Sequence, residues 1–248
     1  MVENRQVYSS ENIARNLEQV LARIALSAVQ AGRNPQDVRL VVVTKTHPVE
    51  VIETLLTAGI NCIGESYIDE ALPKITALAG RSGVEWHMIG HVQSRKARQV
   101  CENFQYLHSL DSLKLANHLN KFAGESGRCL PVLLECNVSA EQSKFGWPAW
   151  DEALWPELLS PIQQVLTLPG LEVRGLMTIA PMLDDPDLSR PFFQRLRKLQ
   201  SYLSYNFPQA NWEQLSMGMS ADFEVAIQEG ATLVRIGQAI LGPRTAHL

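Results

Sequence analysis

The residues best suited to chemistry are Lys45, Arg235 and two short runs rich in small residues, Ser216–Ser220 and Arg235–Gly237. Lys45 follows the apolar run Leu40 to Val43 and stands between two threonines, ahead of Pro48. The run reads as a strand buried on both faces, and Pro48 suits the first turn of a helix. Lys45 is therefore expected where a buried strand gives way to a loop. Desolvation at such a place favours a neutral amine, which makes Lys45 a candidate Schiff-base former. A lysine whose stem covers the strand end while its head reaches water fits the same pattern, and this stretch alone favours that second reading.

The run S-M-G-M-S, Ser216 to Ser220, lies between a strand and a helix. Gly218 lets backbone approach a ligand closely, and Ser220 can cap the helix or offer its hydroxyl to a phosphate. R-I-G, Arg235 to Gly237, repeats the arrangement one strand later. The same glycines would serve as plain turn residues, and Asp222 and Glu224 close by would repel a phosphate unless they turn away. Arg235 is embedded in L-V-R-I, so a surface salt bridge with Glu224 or Asp222 suits it poorly. His87 and His91 are four apart, which on a strand is roughly 13 Å, too far for one ion; no metal is expected. Glu135 could face inward or outward, and the tryptophans near 147–155 read as packing.

The elements that would position these groups alternate along the chain. Ser10 is a plausible cap for a helix over about 11–31, with Ile13, Leu17, Val20, Leu21, Ile24 and Ala28 as its apolar stripe. Eight short apolar runs follow, near 40–45, 61–64, 85–90, 106–110, 131–137, 172–179, 213–217 and 232–236. Each hands over to a helical stretch. That alternation implies parallel strands with crossover helices, and the count favours a closed (β/α)8 barrel over an open doubly wound sheet. No linker divides the chain, so one domain over 1–248 is expected. In such a barrel the strand ends that carry Lys45, Ser66, Ser216 and Arg235 point to one mouth, and the loops after the last two strands are the customary phosphate site.

The bulk numbers narrow the function classes. The chain has 248 residues, 46% of them hydrophobic, and a net charge of −4 from 22 basic and 26 acidic side chains. No clustered basic patch supports a nucleic-acid binder. Met1–Gln6 is polar and lacks the apolar core of a signal peptide, and no apolar run approaches membrane-spanning length. Cys62, Cys101, Cys129 and Cys136 form no C-x-x-C pair, as expected of reduced thiols in the cytoplasm.

Several stretches together resemble one family. They are T-K-T-H-P at Thr44–Pro48, G-E-S at Gly64–Ser66, W-H-M-I-G at Trp86–Gly90, H-S-L-D at His108–Asp111, and L-L-E-C-N running on to Glu141, Lys144 and Gly146. G-L-M-T-I at Gly175–Ile179, L-S-M-G-M-S-A-D at Leu215–Asp222 and V-R-I-G at Val234–Gly237 complete the set. Jointly they resemble the pyridoxal-phosphate homeostasis proteins of the YggS/PROSC type, over about Leu40 to Arg244. The resemblance implies a single (β/α)8 TIM barrel like the alanine racemase N-terminal domain. It implies pyridoxal 5′-phosphate as a Schiff base on Lys45, with Ser220, Gly237 and Gln238 at the phosphate. Ser216, Met217 and Gly218 form the adjoining loop, and Arg235 faces the pyridine nitrogen. Ser66 stands where the family has Asn beside the cofactor, and Arg95 replaces the Asn of Q-x-N-K.

An arginine at the pyridine nitrogen keeps it unprotonated and makes a poor electron sink. Racemases of this fold add a tyrosine base from a second domain, and the chain stops at Leu248, soon after the eighth strand. The expectation is a monomeric, cytoplasmic protein that buffers or delivers the cofactor, with cofactor-dependent apo-enzymes as partners and no catalytic residues. Competing readings are a racemase-like enzyme using Tyr67 or His91 as base, and a sugar-phosphate aldolase built on Lys45.

Overall fold

The computed structural model describes residues 9–243, so the reading of Met1–Gln6 and the reach of the resemblance to Arg244 lie outside the described residues. The first element is helix α1, Ser10–Gln30. Its cap is Ser9 and not Ser10: the Ser9 hydroxyl accepts from the Asn12 N–H at 3.2 Å. The buried stripe is Ile13, Leu17, Val20, Ile24, Ser27 and Ala28. Leu21, expected in that stripe, is 43% exposed because it falls beyond the edge of the face set by its i+3 and i+4 neighbours.

The barrel strands are β1 (Arg39–Val43), β2 (Cys62–Glu65), β3 (Glu85–Met88), β4 (Tyr106–Leu110), β5 (Leu130–Asn137), β6 (Leu171–Met177), β7 (Gln214–Ser216) and β8 (Leu233–Ile236). Every pair of neighbours is parallel, and β8 pairs with β1, which closes the ring. The barrel expected from the alternation is thus the one formed. A two-residue strand, Trp147–Pro148, adds to the end of β5. Between strands lie α2 (Val49–Thr57), α3 (Ile68–Ala77), α4 (Ala97–Asn103), α5 (Leu113–Glu125), α6 (Trp155–Leu166), α7 (Arg190–Asn206) and α8 (Phe223–Gln228), and α9 (Gln238–Leu241) follows β8. Ser112 caps α5 by accepting from Leu115 N–H.

The main apolar core fills the space between strands and helices, and α1 packs on α8, α9 and α2 to close that layer. Inside the barrel a small apolar cluster remains, Tyr106, Leu133 and Met177 with Ile179 against it. Much of the rest of the interior is polar. His108 of β4 lies 2.8 Å from Ser216 of β7, and the Tyr106 hydroxyl bonds Gln214. Bonds between strands that are not neighbours must cross the lumen. Barrel lumens are ordinarily packed with branched aliphatics, so this polar column marks the interior as more than scaffold.

Candidate functional site

Strand β1 stops at Val43, two residues before Lys45. Thr44 N–H still joins the ladder by donating to Gly64 O at 3.0 Å, then His47 N–H turns back to Thr44 O at 3.1 Å. Lys45 therefore sits in a tight turn, and Thr46 takes a left-handed φ of 66°. A β-branched residue is uncomfortable there, and the turn is held from outside. Glu70 of α3 accepts the Thr46 N–H. Lys74, also on α3 and buried, bonds Thr44 O at 3.0 Å, Glu65 at 2.9 Å and Glu70 at 2.6 Å. Thr44 Oγ1 donates to the same Glu65 oxygen at 2.6 Å. Burial pushes the Glu65 pKa up while Lys74 pulls it back. This clamp of Glu65, Glu70 and Lys74 orients the lysine turn, and the sequence reading missed it. Glu70 and Lys74 at i and i+4 were the available signal.

Lys45 opens on a cavity of about 730 Å³ at the C-terminal ends of the strands. Of the expected site residues, Lys45, Ser66, Ser220, Arg235, Gly237 and Gln238 line it together. Ser216, Met217 and Gly218 lie behind its wall. Ser216 is the last residue of β7 and fully buried, and Met217 points outward into the main core. Gly218, at φ +92°, lies under α8, where a Cβ would stand 2.6 Å from that of Ala226.

Arg235 is the group around which the wall is built. Its Nη1 donates to Ser216 O at 2.8 Å and Ser216 Oγ at 2.6 Å, and its Nη2 donates to Thr178 O at 2.9 Å. Burial lowers its pKa to about 10, with Glu135 and Asp222 opposing the shift, so it remains a cation at neutral pH. Neither Asp222 nor Glu224 acts as its hydrogen-bonding partner. Asp222 accepts the Met219 N–H at 2.7 Å, and Glu224 leaves the site to pair with Arg23 of α1. The acidic pair that threatened the phosphate reading is turned away from it. Glu135, left open by the sequence, is 7% exposed; burial pushes its pKa up to about 7, and Asp111 adds to the rise.

Behind Arg235 the polar column continues. Ser216 Oγ is 2.8 Å from His108 Nδ1, and His108 Nε2 is 2.9 Å from His87 Nδ1. Burial depresses the pKa of both imidazoles, so each is neutral and carries one N–H. The hydrogen bonds of the pair therefore run in a single direction, set by whichever ring donates to the other.

The mouth carries Tyr67, His91, Arg95 and Lys96. His91 bonds Asp111 at 2.9 Å and stacks on Phe145, with ring centres 3.7 Å apart. Lys96 pairs with Asp69, and Arg95 donates to Gln93 at 2.9 Å.

Pyridoxal phosphate fits what is present. The cavity exceeds the molecule, and a primary amine and a fixed guanidinium converge on it. At one wall the backbone approaches closely: a Cβ on Gly237 would stand 3.0 Å from Val43 O. Ser220 Oγ there accepts the Ala239 N–H at 3.2 Å, which ties the β7 loop to the start of α9.

The comparisons agree first on the class. The family model for the alanine racemase N-terminal domain matches residues 10–245. Alanine racemase of Clostridium difficile superposes with a TM-score of 0.68 at 15% identity, covering 93% of this chain and 56% of the racemase; that likeness concerns the fold alone. Within the class, the pyridoxal phosphate homeostasis protein of Vibrio alginolyticus is 38% identical over 236 residues, 94% of this chain and 98% of the relative. PipY of Synechococcus elongatus, solved with PLP bound, superposes with a TM-score of 0.79 at 33% identity, covering 93% of this chain and all of PipY. The chain belongs to the pyridoxal phosphate homeostasis protein family.

Proposed function

We propose that this chain binds pyridoxal 5′-phosphate in the barrel-mouth cavity and serves intracellular homeostasis of that cofactor, holding it and giving it up rather than using it in turnover. The observation that carries the reading is that Lys45 and Arg235 line one cavity together with Ser220, Gly237 and Gln238. When bound, the cofactor supplies an aldehyde that a lysine amine holds covalently and reversibly. The chain's own residues do the rest. The Glu65–Glu70–Lys74 clamp holds the Lys45 turn, and the β7 and β8 loops, joined through Ser220 and Ala239, offer hydroxyl and backbone to the phosphate. Ser66 presents a shorter hydroxyl where the family has Asn.

Arg235 supports the non-catalytic part of the reading. It is donor-only and cationic, and an acceptor nitrogen facing it is kept unprotonated. Its geometry is fixed by three bonds, so it cannot withdraw to let a proton in. The two candidate bases at the mouth differ: His91 is tied to Asp111, and Tyr67 is 55% exposed. Steady racemisation of an amino acid, abolished in Lys45→Ala, would favour an enzyme instead. We further propose cofactor-requiring apo-enzymes as recipients and a monomer in the cytoplasm; the four cysteines, all free thiols, support a reducing compartment.

The test is the visible spectrum of the purified full chain with added cofactor. A saturable absorbance band is expected in the wild type and is lost in Lys45→Ala. A wild-type protein that stays colourless with excess cofactor overturns the proposal.

A further inference from the structure

The end of the barrel opposite the cofactor cavity holds a second cluster of chemically capable side chains. Cys62 opens β2, and Glu85 and His87 lie on the adjoining β3, where Cys62 pairs in register with Glu85. One ligand atom from each of the three lies within 4.8 Å of the others. His87 is completely buried, yet its Nε2 has no hydrogen bond; Glu85 Oε1 stands 3.2 Å from it. The other nitrogen, Nδ1, is held by His108 at 2.9 Å. A metal-bound histidine is oriented in this way, with one nitrogen engaged by a neighbour and the other presented to the ion.

From these observations we propose that Cys62, Glu85 and His87 form a binding site for one Zn²⁺-class transition-metal ion. Thiolate, imidazole and carboxylate on a single centre select a borderline-soft ion over Mg²⁺ or Ca²⁺, and three protein ligands leave a fourth position for water. The site is reached from the N-terminal face, where Cys62 and Glu85 are part-exposed.

Arg39 now occupies the place of the ion. Its Nε donates to Cys62 Sγ at 3.2 Å, and its Nη2 pairs with Glu85. Its side chain is 42% exposed, so it can swing into water. The exchange balances. Before it, one guanidinium faces one carboxylate and a neutral thiol. After it, Zn²⁺ faces a carboxylate and a thiolate, the thiol proton has passed to solvent, and the guanidinium is solvated. A bound ion requires the lone pair on His87 Nε2, so His87 Nδ1–H donates to His108 and His108 Nδ1–H donates to Ser216.

The test is calorimetric titration of the full chain, loaded with cofactor, with Zn²⁺ alone, followed by zinc X-ray absorption. One site per chain is expected, with one sulfur in the coordination sphere. Cys62→Ser and Glu85→Gln each weaken binding by about tenfold or more, and Arg39→Ala tightens it. Both ligand variants alter part-exposed side chains and avoid the buried His87; metal-free melting temperatures within a few degrees of wild type confirm that they fold. Absence of saturable binding, a site without sulfur, or equal affinity in Cys62→Ser overturns the proposal.

Discussion

The two ends of the barrel each hold an arginine aimed along the interior, and they treat it differently. At the C-terminal end Arg235 is 4% exposed and bonded to Ser216 and Thr178. At the N-terminal end Arg39 is half-exposed and pairs with Glu85 and Cys62. The His87–His108–Ser216 column joins the two. Burial and partner type decide the outcome: a buried guanidinium held by two backbone carbonyls and a serine hydroxyl is a fixed wall, whereas one held by a part-exposed carboxylate and a thiol is a displaceable plug. The fixed end suits recognition of a preformed ligand, and the plugged end suits exchange.

Removing each arginine is the direct way to break that comparison. Arg235→Ala strands the Ser216 and Thr178 carbonyls and should cost ~3 kcal/mol or more, read as a lower denaturant midpoint, together with loss of cofactor absorbance. Glu135→Gln sharpens the electrostatics of the fixed end. Its folded pKa, about 7, lies above the ordinary carboxylate value. The stability this group allows is complete below that ordinary value and is lost as pH rises through 7, because the unfolded chain ionises first. The variant should therefore gain ~2–3 kcal/mol at pH 8 and little at pH 4, checked by melting at both values. Gly218→Ala puts a methyl against Ala226 at a left-handed φ and should cost ~2 kcal/mol in the same unfolding assay. Arg39→Ala, at the plugged end, should change stability by less than ~1 kcal/mol without metal. A cost there equal to that of Arg235→Ala would erase the distinction.

What was legible in the sequence follows from what is local. Lys45, Ser220 and Gly237 reach the cavity because each lies just past a strand whose end the barrel defines, and Arg235 because it is embedded in the last strand. The S-M-G run reads as one loop, yet its three residues separate: Ser216 ends the strand facing in, Met217 packs outward, and Gly218 tucks under α8. A period of two at a strand end is invisible when the strand is three residues long. Long-range pairings were hidden for a different reason. The bonds Lys74 to Thr44 O, His87 to His108 and His108 to Ser216 depend on strand register and helix rotation. Along the chain His87 pairs with His91, too far apart for one ion, while its neighbours in space are Cys62 and Glu85.

We propose Lys45 as the amine that holds the cofactor. Borohydride reduction of the cofactor-loaded chain, followed by peptide mass analysis, tests it most directly. The reduced cofactor's mass is expected on the peptide containing Lys45 and is absent from Lys45→Ala. An unlabelled wild type, or a label carried by another lysine with Lys45 untouched, would contradict it.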